Sequence, residues 1–178
     1  MKKLIILDRD GVINYDSPNY IKTEEEWQAI PGSLEAIALL KQKAYQVAIA
    51  TNQSGIGRGY YTLATFFAIQ KKFESLLQAT NGKIDKLVFC PHTPEDDCLC
   101  RKPKPGMLIE ILSFFKIDPT KSTVYFVGDA ITDIQAAKAA NCQPILVRTG
   151  KDSATLEQLP PMEVIPVFND LLAFVKSL

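Results

Sequence analysis

Lys3-Leu-Ile-Ile-Leu-Asp8-Arg-Asp10-Gly11 decides how the rest of the chain reads. An apolar run of strand character ends in two carboxylates one residue apart, followed by a glycine. The run does not alternate with polar residues, as expected of a strand covered on both faces in a parallel sheet. In such α/β sheets ligands sit outside the carboxyl ends of the strands. A single Asp-x-Asp at a strand tip is equally well a solvated turn. Its weight comes from recurrence, because an apolar strand ends in a reactive tip three more times. Gln46–Ala50 runs into Thr51-Asn52-Gln53-Ser54, Lys86–Phe89 into Cys90, and Thr123–Val127 into Gly128-Asp129.

The intervening segments read as helices. Pro31-Gly32-Ser33 opens one with Leu34, Ile37, Leu40 and Lys41 at helical spacing. Thr62 is placed to cap a long helix that buries Leu63, Phe66, Phe67, Phe73, Leu76 and Leu77 and stops near Asn81-Gly82. Met107, Leu108, Ile111, Leu112 and Phe115 mark a third, and Ile134 to Ala140 a short alanine-rich fourth. Pro144–Val147 is a fifth strand, Val164–Phe168 a sixth, and Asn169 the cap of a last helix. Strands alternating with helices imply βαβ units. The expected class is α/β: one doubly wound, Rossmann-like parallel sheet with helices on both faces, as a single domain over residues 1–178. No large cap domain fits between the strands.

Composition removes several function classes. At 178 residues and 47% hydrophobic, the chain can build a sizeable core. Lys+Arg and Asp+Glu number 20 each, so no net field attracts a polyanion, and a nucleic-acid partner is not expected. The apolar run before Asp8 is too short for a secretory signal, and no stretch approaches the roughly 20 apolar residues of a membrane span. The expectation is a cytoplasmic protein without a membrane partner, most simply a monomer.

Right-handed crossovers align the strand tips along one sheet edge. That edge would gather Asp8, Asp10, Thr51, Asn52, Asp129 and Asp133. Like charges about 4 Å apart repel by roughly 4 kcal/mol at an effective dielectric of 20. A divalent cation relieves this, and all-oxygen ligands select a hard ion such as Mg²⁺. With the hydroxyl of Thr51, the amide of Asn52, and Arg101, Lys102 and Lys104 nearby in sequence, the set describes phosphoryl transfer. An aspartate can itself be the nucleophile.

A second constellation is Cys90-Pro-His92-x5-Cys98-Leu-Cys100, which contains the only histidine and three of the four cysteines. Three thiolates and an imidazole complete a tetrahedral Zn²⁺ set with no position left for a reacting water, so the zinc should be structural. The fourth cysteine, Cys142, is expected to be a small core residue.

The four motifs resemble those of the haloacid dehalogenase superfamily of phosphatases: Asp8-Arg9-Asp10-Gly11, Ala48-Ile49-Ala50-Thr51-Asn52, Lys102-Pro103-Lys104-Pro105 and Gly128-Asp129-Ala130-Ile131-Thr132-Asp133. The resemblance implies Asp8 as nucleophile and Asp10 as general acid and then base. It implies Thr51 and Lys102 on the phosphoryl oxygens, and Mg²⁺ on Asp8, Asp129 and the backbone carbonyl of Asp10. With the zinc loop leading into Arg101-Lys102-Pro103, and with Thr51-Asn52-Gln53-Ser54-Gly55-Ile56, the chain looks like the heptose-bisphosphate phosphatases of that superfamily. This implies a phosphorylated-sugar substrate on the route to lipopolysaccharide, contacted by Asp16, Thr51, Asn52, Gln53, Ser54, Arg101 and Lys102.

Histidinol-phosphate phosphatases share the carboxylates and a zinc loop and are the nearest alternative. An inactive zinc-stabilised binding module is the alternative of another class, and intact Asp8, Asp10, Lys102 and Asp129 speak against it. Cys142-x5-Arg148 has the spacing of a tyrosine-phosphatase loop, but its apolar interior has no phosphate-cradling glycines. Gly55-Ile-Gly57-Arg-Gly59 is not a dinucleotide fingerprint and is expected to form a mobile loop over the substrate.

Overall fold

The computed structural model of the protein describes residues 2–160 and 164–178. Six strands, β1 (Leu4–Leu7), β2 (Gln46–Asn52), β3 (Lys86–Cys90), β4 (Val124–Gly128), β5 (Gln143–Val147) and β6 (Val167–Phe168), form one sheet in the order β3-β2-β1-β4-β5-β6. Every pairing is parallel. Seven helices accompany them: α1 (Ser33–Gln42), α2 (Ser54–Gly57), α3 (Leu63–Ala79), α4 (Gly106–Phe115), α5 (Ile131–Ala139), α6 (Asp152–Gln158) and α7 (Leu171–Ser177).

The strand pleat explains why helices cover both faces. Successive side chains of a strand point to opposite sides, and all four residues of β1 are fully buried. Ile5 and Leu7, with Val47, Ile49 and Val127, pack into a core with α1, α3 and α7 through Ile37, Leu40, Ile69, Phe73 and Phe174. Leu4 and Ile6, with Ala48, Ala50, Val124 and Phe126, face α4 and α5 through Met107, Leu108, Ile111 and Ala137. Cys142 is buried in this second core, as expected of a small apolar residue.

The chain winds outward from β1 through β2 to β3, then returns to lay β4 on the other side of β1. Between β1 and β4 the winding reverses, and a crevice opens at their carboxyl ends where ligands bind in such sheets. Asp8 follows β1 directly and Asp129 follows β4. Their strands are tied at the tip, because the Asp8 amide donates to the Val127 carbonyl at 2.9 Å.

Several expectations are corrected. On α3, Leu63, Phe67 and Leu76 are exposed by 42–52%. The buried side is Phe66, Ile69, Gln70, Phe73 and Leu77. The reason lies in the sheet order: β3 is an edge strand, and Phe67 reaches only its margin, against Phe66 and Phe89. Asp170, not Asn169, caps α7, its carboxylate accepting from the Ala173 amide at 2.7 Å. β6 has two residues rather than five, and Val164 is exposed. The segment expected as a mobile loop over the substrate is instead the packed turn α2. There Gly57 donates to the Pro91 carbonyl at 2.9 Å, and a Cβ at Gly55 would collide with the ring of Tyr61.

Candidate active site and metal centre

The floor of the crevice is a buried charge cluster. Lys102 Nζ lies 2.9 Å from Asp8 Oδ1 and 2.7 Å from Asp133 Oδ1, donates to the Ala50 carbonyl at 3.0 Å, and rests over the Phe126 ring. Asp133 Oδ2 accepts from the amides of Asp129 (3.2 Å) and Ala130 (3.0 Å) at the start of α5. Asp129 Oδ2 accepts from the Lys151 amide at 2.8 Å, and its backbone carbonyl accepts from Thr155 Oγ1. Carboxylate oxygens of Asp8, Asp129 and Asp133 lie within 4.8 Å of one another. Gly11 has φ +85°, and a Cβ there would strike the Asp129 carboxylate, so the glycine of the first motif makes room for the fourth.

Burial raises the Asp8 carboxyl well above its usual range; Lys102 opposes the shift, while Asp133 and Asp129 add to it. Burial, with Asp133 beside it, also lifts Asp129 to about 6. Burial works against the Lys102 ammonium, but Asp133 and Asp8 outweigh it and hold the proton in place. Three carboxylates and one ammonium leave two negative charges, the charge that one divalent cation neutralises. All-oxygen donors and that excess fit Mg²⁺.

Asp10 is held on the other side of the crevice. Its carboxylate accepts from Arg9 Nη2 (3.1 Å), Asn14 Nδ2 (2.8 Å) and Gln53 Nε2 (2.8 Å). Burial would raise its pKa, but the Arg9 guanidinium, Asn14 and Gln53 together pull it below the usual carboxylate value. Arg9 is buried with its guanidinium over the Phe66 ring. Gln53 also donates to Thr51 Oγ1 at 2.9 Å and accepts from the Tyr61 hydroxyl at 2.6 Å. Burial pushes Tyr61 up to about 12, so it remains a donor.

A cavity of about 490 Å³ joins the two sides, lined by Asp8, Asp10, Asp16, Thr51, Asn52, Gln53, Ser54, Lys102, Asp129 and others. Asn52 lines the cavity with its side-chain amide already engaged. It bonds reciprocally with the Lys102 backbone, at 3.1 Å in both directions, and so fixes the lysine against β2. Asp16 meets Lys151 Nζ at 2.8 Å. Arg101 is not part of the lining; its guanidinium donates to the His92 carbonyl at 3.2 Å. Lys104 pairs with exposed Asp97.

Sequence reasoning did not single out Arg9, Asn14, Tyr61 or Lys151. Two signals were available. Arg9 is a cation between two carboxylates just past a buried strand and must find a partner, and Lys151 lies in the turn that follows β5.

The cysteine loop closes as a compact donor set. Cys100 Sγ lies 3.2 Å from Cys90 Sγ and 3.4 Å from Cys98 Sγ, and His92 Nδ1 lies 3.3 Å from Cys100 Sγ. A disulfide would need about 2.05 Å, and all four cysteines are free. Edges of a tetrahedron around Zn²⁺ with Zn–S bonds of about 2.3 Å measure about 3.8 Å, close to the observed spacing. Burial opposes ionisation of Cys98, but hydrogen bonds from Cys100 and the Arg101 amide lower it to about 7. Burial holds the Cys90 and Cys100 thiols raised, so Cys98 is the one predisposed to the thiolate, and it is the convergence of three sulfurs and an imidazole that suits a thiolate-binding metal.

Comparisons with known proteins agree with this geometry. A family model described as HAD-hydrolase-like matches residues 99–173. A D-glycero-beta-D-manno-heptose-1,7-bisphosphate 7-phosphatase of Pseudomonas aeruginosa is 51% identical over 177 residues, covering 99% of this chain and 98% of its own. Its counterpart in Pseudomonas putida is 52% identical over 176 residues, with 99% of each chain covered. Among solved structures, the D,D-heptose 1,7-bisphosphate phosphatase of Bordetella bronchiseptica, complexed with magnesium and phosphate, superimposes with a TM-score of 0.94 at 46% identity, covering 98% of this chain and 97% of that one. With half its residues shared along nearly the whole length, the chain belongs to the heptose-1,7-bisphosphate 7-phosphatase family of HAD-like hydrolases.

Proposed function

We propose that this protein is a Mg²⁺-dependent phosphatase that hydrolyses the 7-phosphate of D-glycero-beta-D-manno-heptose 1,7-bisphosphate, a step toward the heptose of lipopolysaccharide. The reaction class rests on one observation: a buried carboxylate at a cavity floor, Asp8, ion-paired with Lys102 and clustered with Asp129 and Asp133. The choice of substrate rests on the relatives' shared name.

In the first half-reaction an Asp8 oxygen attacks phosphorus. The bond to the sugar oxygen breaks as the aspartyl-phosphate bond forms, and the Asp10 carboxyl gives its proton to the departing oxygen. In the second, Asp10 takes a proton from water, which attacks phosphorus. The bond to Asp8 breaks, inorganic phosphate leaves, and Asp10 is protonated again. Arg9, Asn14 and Gln53 favour the Asp10 carboxylate; a phosphate dianion arriving beside it favours the acid.

Thr51 already accepts from Gln53, so its hydroxyl hydrogen is available to a phosphoryl oxygen. Lys102 holds Asp8 in place and shares its charge with the phosphoryl group. Asp8, Asp129 and the Asp10 carbonyl would hold Mg²⁺, which supplies charge neutralisation between carboxylates and phosphate. Cys90, His92, Cys98 and Cys100 would hold structural Zn²⁺.

A phosphate-release assay on both anomers of the heptose bisphosphate and on histidinol phosphate, with Mg²⁺ and with chelator, tests the reading. The beta anomer should be preferred and chelator should abolish turnover. Preference for histidinol phosphate, or activity that survives Asp8→Asn, would overturn it.

A further inference from the structure

We propose that Gln53, braced by Tyr61, is a positioning residue that aims the Asp10 carboxyl at the leaving oxygen. The proposal rests on Asp10 being the general acid. Gln53 is 4% exposed, and its carboxamide is fully committed inside the protein. A carboxylate only accepts, so the amide atom 2.8 Å from Asp10 Oδ2 must be nitrogen. The second hydrogen of that nitrogen goes to Thr51 Oγ1 at 2.9 Å. The carbonyl oxygen then faces Tyr61, whose hydroxyl donates to it at 2.6 Å.

Three bonds in three directions leave the amide no freedom to rotate. The backbone restrains it as well, since the Gln53 amide donates to the Cys90 carbonyl at 2.7 Å and thereby joins the tips of β2 and β3. Tyr61 is itself fixed, 8% exposed and packed where a side chain at Gly55 would otherwise stand. Asn14 reaches Asp10 through Oδ1 at 2.8 Å, Arg9 Nη2 bridges both oxygens at 3.1 Å, and Gln53 makes the shorter bond to Oδ2, at 2.8 Å. Without Gln53 the carboxyl keeps its charge partner but loses the shorter of the two bonds on Oδ2, and with it part of what fixes its rotation. Misplacement of a reacting group by about 1 Å can slow a reaction on the order of a hundredfold.

General acid help matters for a poor leaving group such as a sugar alkoxide and little for p-nitrophenolate, which departs unprotonated. The test is the ratio of first-turnover rates, alcohol release from the heptose bisphosphate over p-nitrophenol release from p-nitrophenyl phosphate. Both rates are measured by rapid quench on the Mg²⁺-loaded enzyme at saturating substrate. A fall common to both substrates, from general damage or from Thr51, cancels in this ratio.

Asp10→Asn calibrates the assay and should lower the ratio about a hundredfold or more. Gln53→Leu should lower it about ten- to a hundredfold. Tyr61→Phe, which keeps the ring over Gly55, should lower it in the same direction by less. An unchanged ratio in Gln53→Leu and Tyr61→Phe overturns the positioning role. So does a change confined to KM, which would make Gln53 a substrate contact. If Asp10→Asn itself leaves the ratio unchanged, the general-acid reading falls instead.

Discussion

Replacing Lys102 by methionine keeps most of the side-chain volume and removes one charge from a site where the lysine is only 3% exposed. Asp8 and Asp133 would then lie buried without the cation that stands 2.9 and 2.7 Å away. At those distances each gross attraction is about 6 kcal/mol for an effective dielectric of 20, and most of it is offset by desolvation of the ammonium. Breaking a buried pair by removing one partner costs about 3–5 kcal/mol. In a domain of this size that is a fall in Tm of roughly 6–20 °C.

Calorimetry on metal-free protein measures the fall, and a double-mutant cycle with Asp133→Asn assigns its cause. Because Asp133→Asn removes one of the stranded charges, the double variant should be more stable than the sum of the single losses predicts, by at least about 1 kcal/mol. Mg²⁺ should also restore more stability to Lys102→Met than to the parent, since the cluster rises from two net negative charges to three. Additivity within about 0.5 kcal/mol, or equal Mg²⁺ gains, would refute the claim that charge holds this site together.

Asp8→Asn should abolish turnover while the Tm stays at or above the parent value, since a buried repulsion is relieved; activity assay and calorimetry on one preparation check both. Elemental analysis should find one zinc per chain. Cys98→Ser should lose the metal and unfold at lower temperature, and full stability without zinc would exclude the structural role. Gly11→Ala should lower activity by more than tenfold and weaken Mg²⁺ binding in calorimetric titration, because the added methyl strikes the Asp129 carboxylate at a residue with φ +85°. Phe73→Ala, at a fully buried ring packed at a tilt against Trp27, should cost about 3–5 kcal/mol in denaturant unfolding without changing KM.

The strand tips were legible because a parallel strand covered on both faces announces itself as an unbroken apolar run, and its end is where polarity returns. Leu4–Leu7 followed by Asp8 is such a boundary, and the same rule placed Thr51, Cys90 and Asp129 on one edge. Less legible was how polar side chains divide their bonds. Asn52 and Gln53 stand in a motif that suggests substrate contact, and besides lining the cavity each holds a neighbour, one the Lys102 backbone and the other Asp10. Nothing in residue type distinguishes these roles. Tyr61 was invisible because its partner is reached through a turn with no period of its own. On α3, helical spacing marks a stripe, but how much of it is covered depends on where the sheet ends. Asn169 and Asp170 are both competent caps, and only the backbone path selects the second.

The thiol cluster and the reaction centre share a leash. Cys100 and Lys102 are two residues apart, a reach of at most about 7 Å, and Cys90 ends the strand whose carbonyl receives the Gln53 amide. A displacement of the outer loop would therefore be felt at both Lys102 and Gln53.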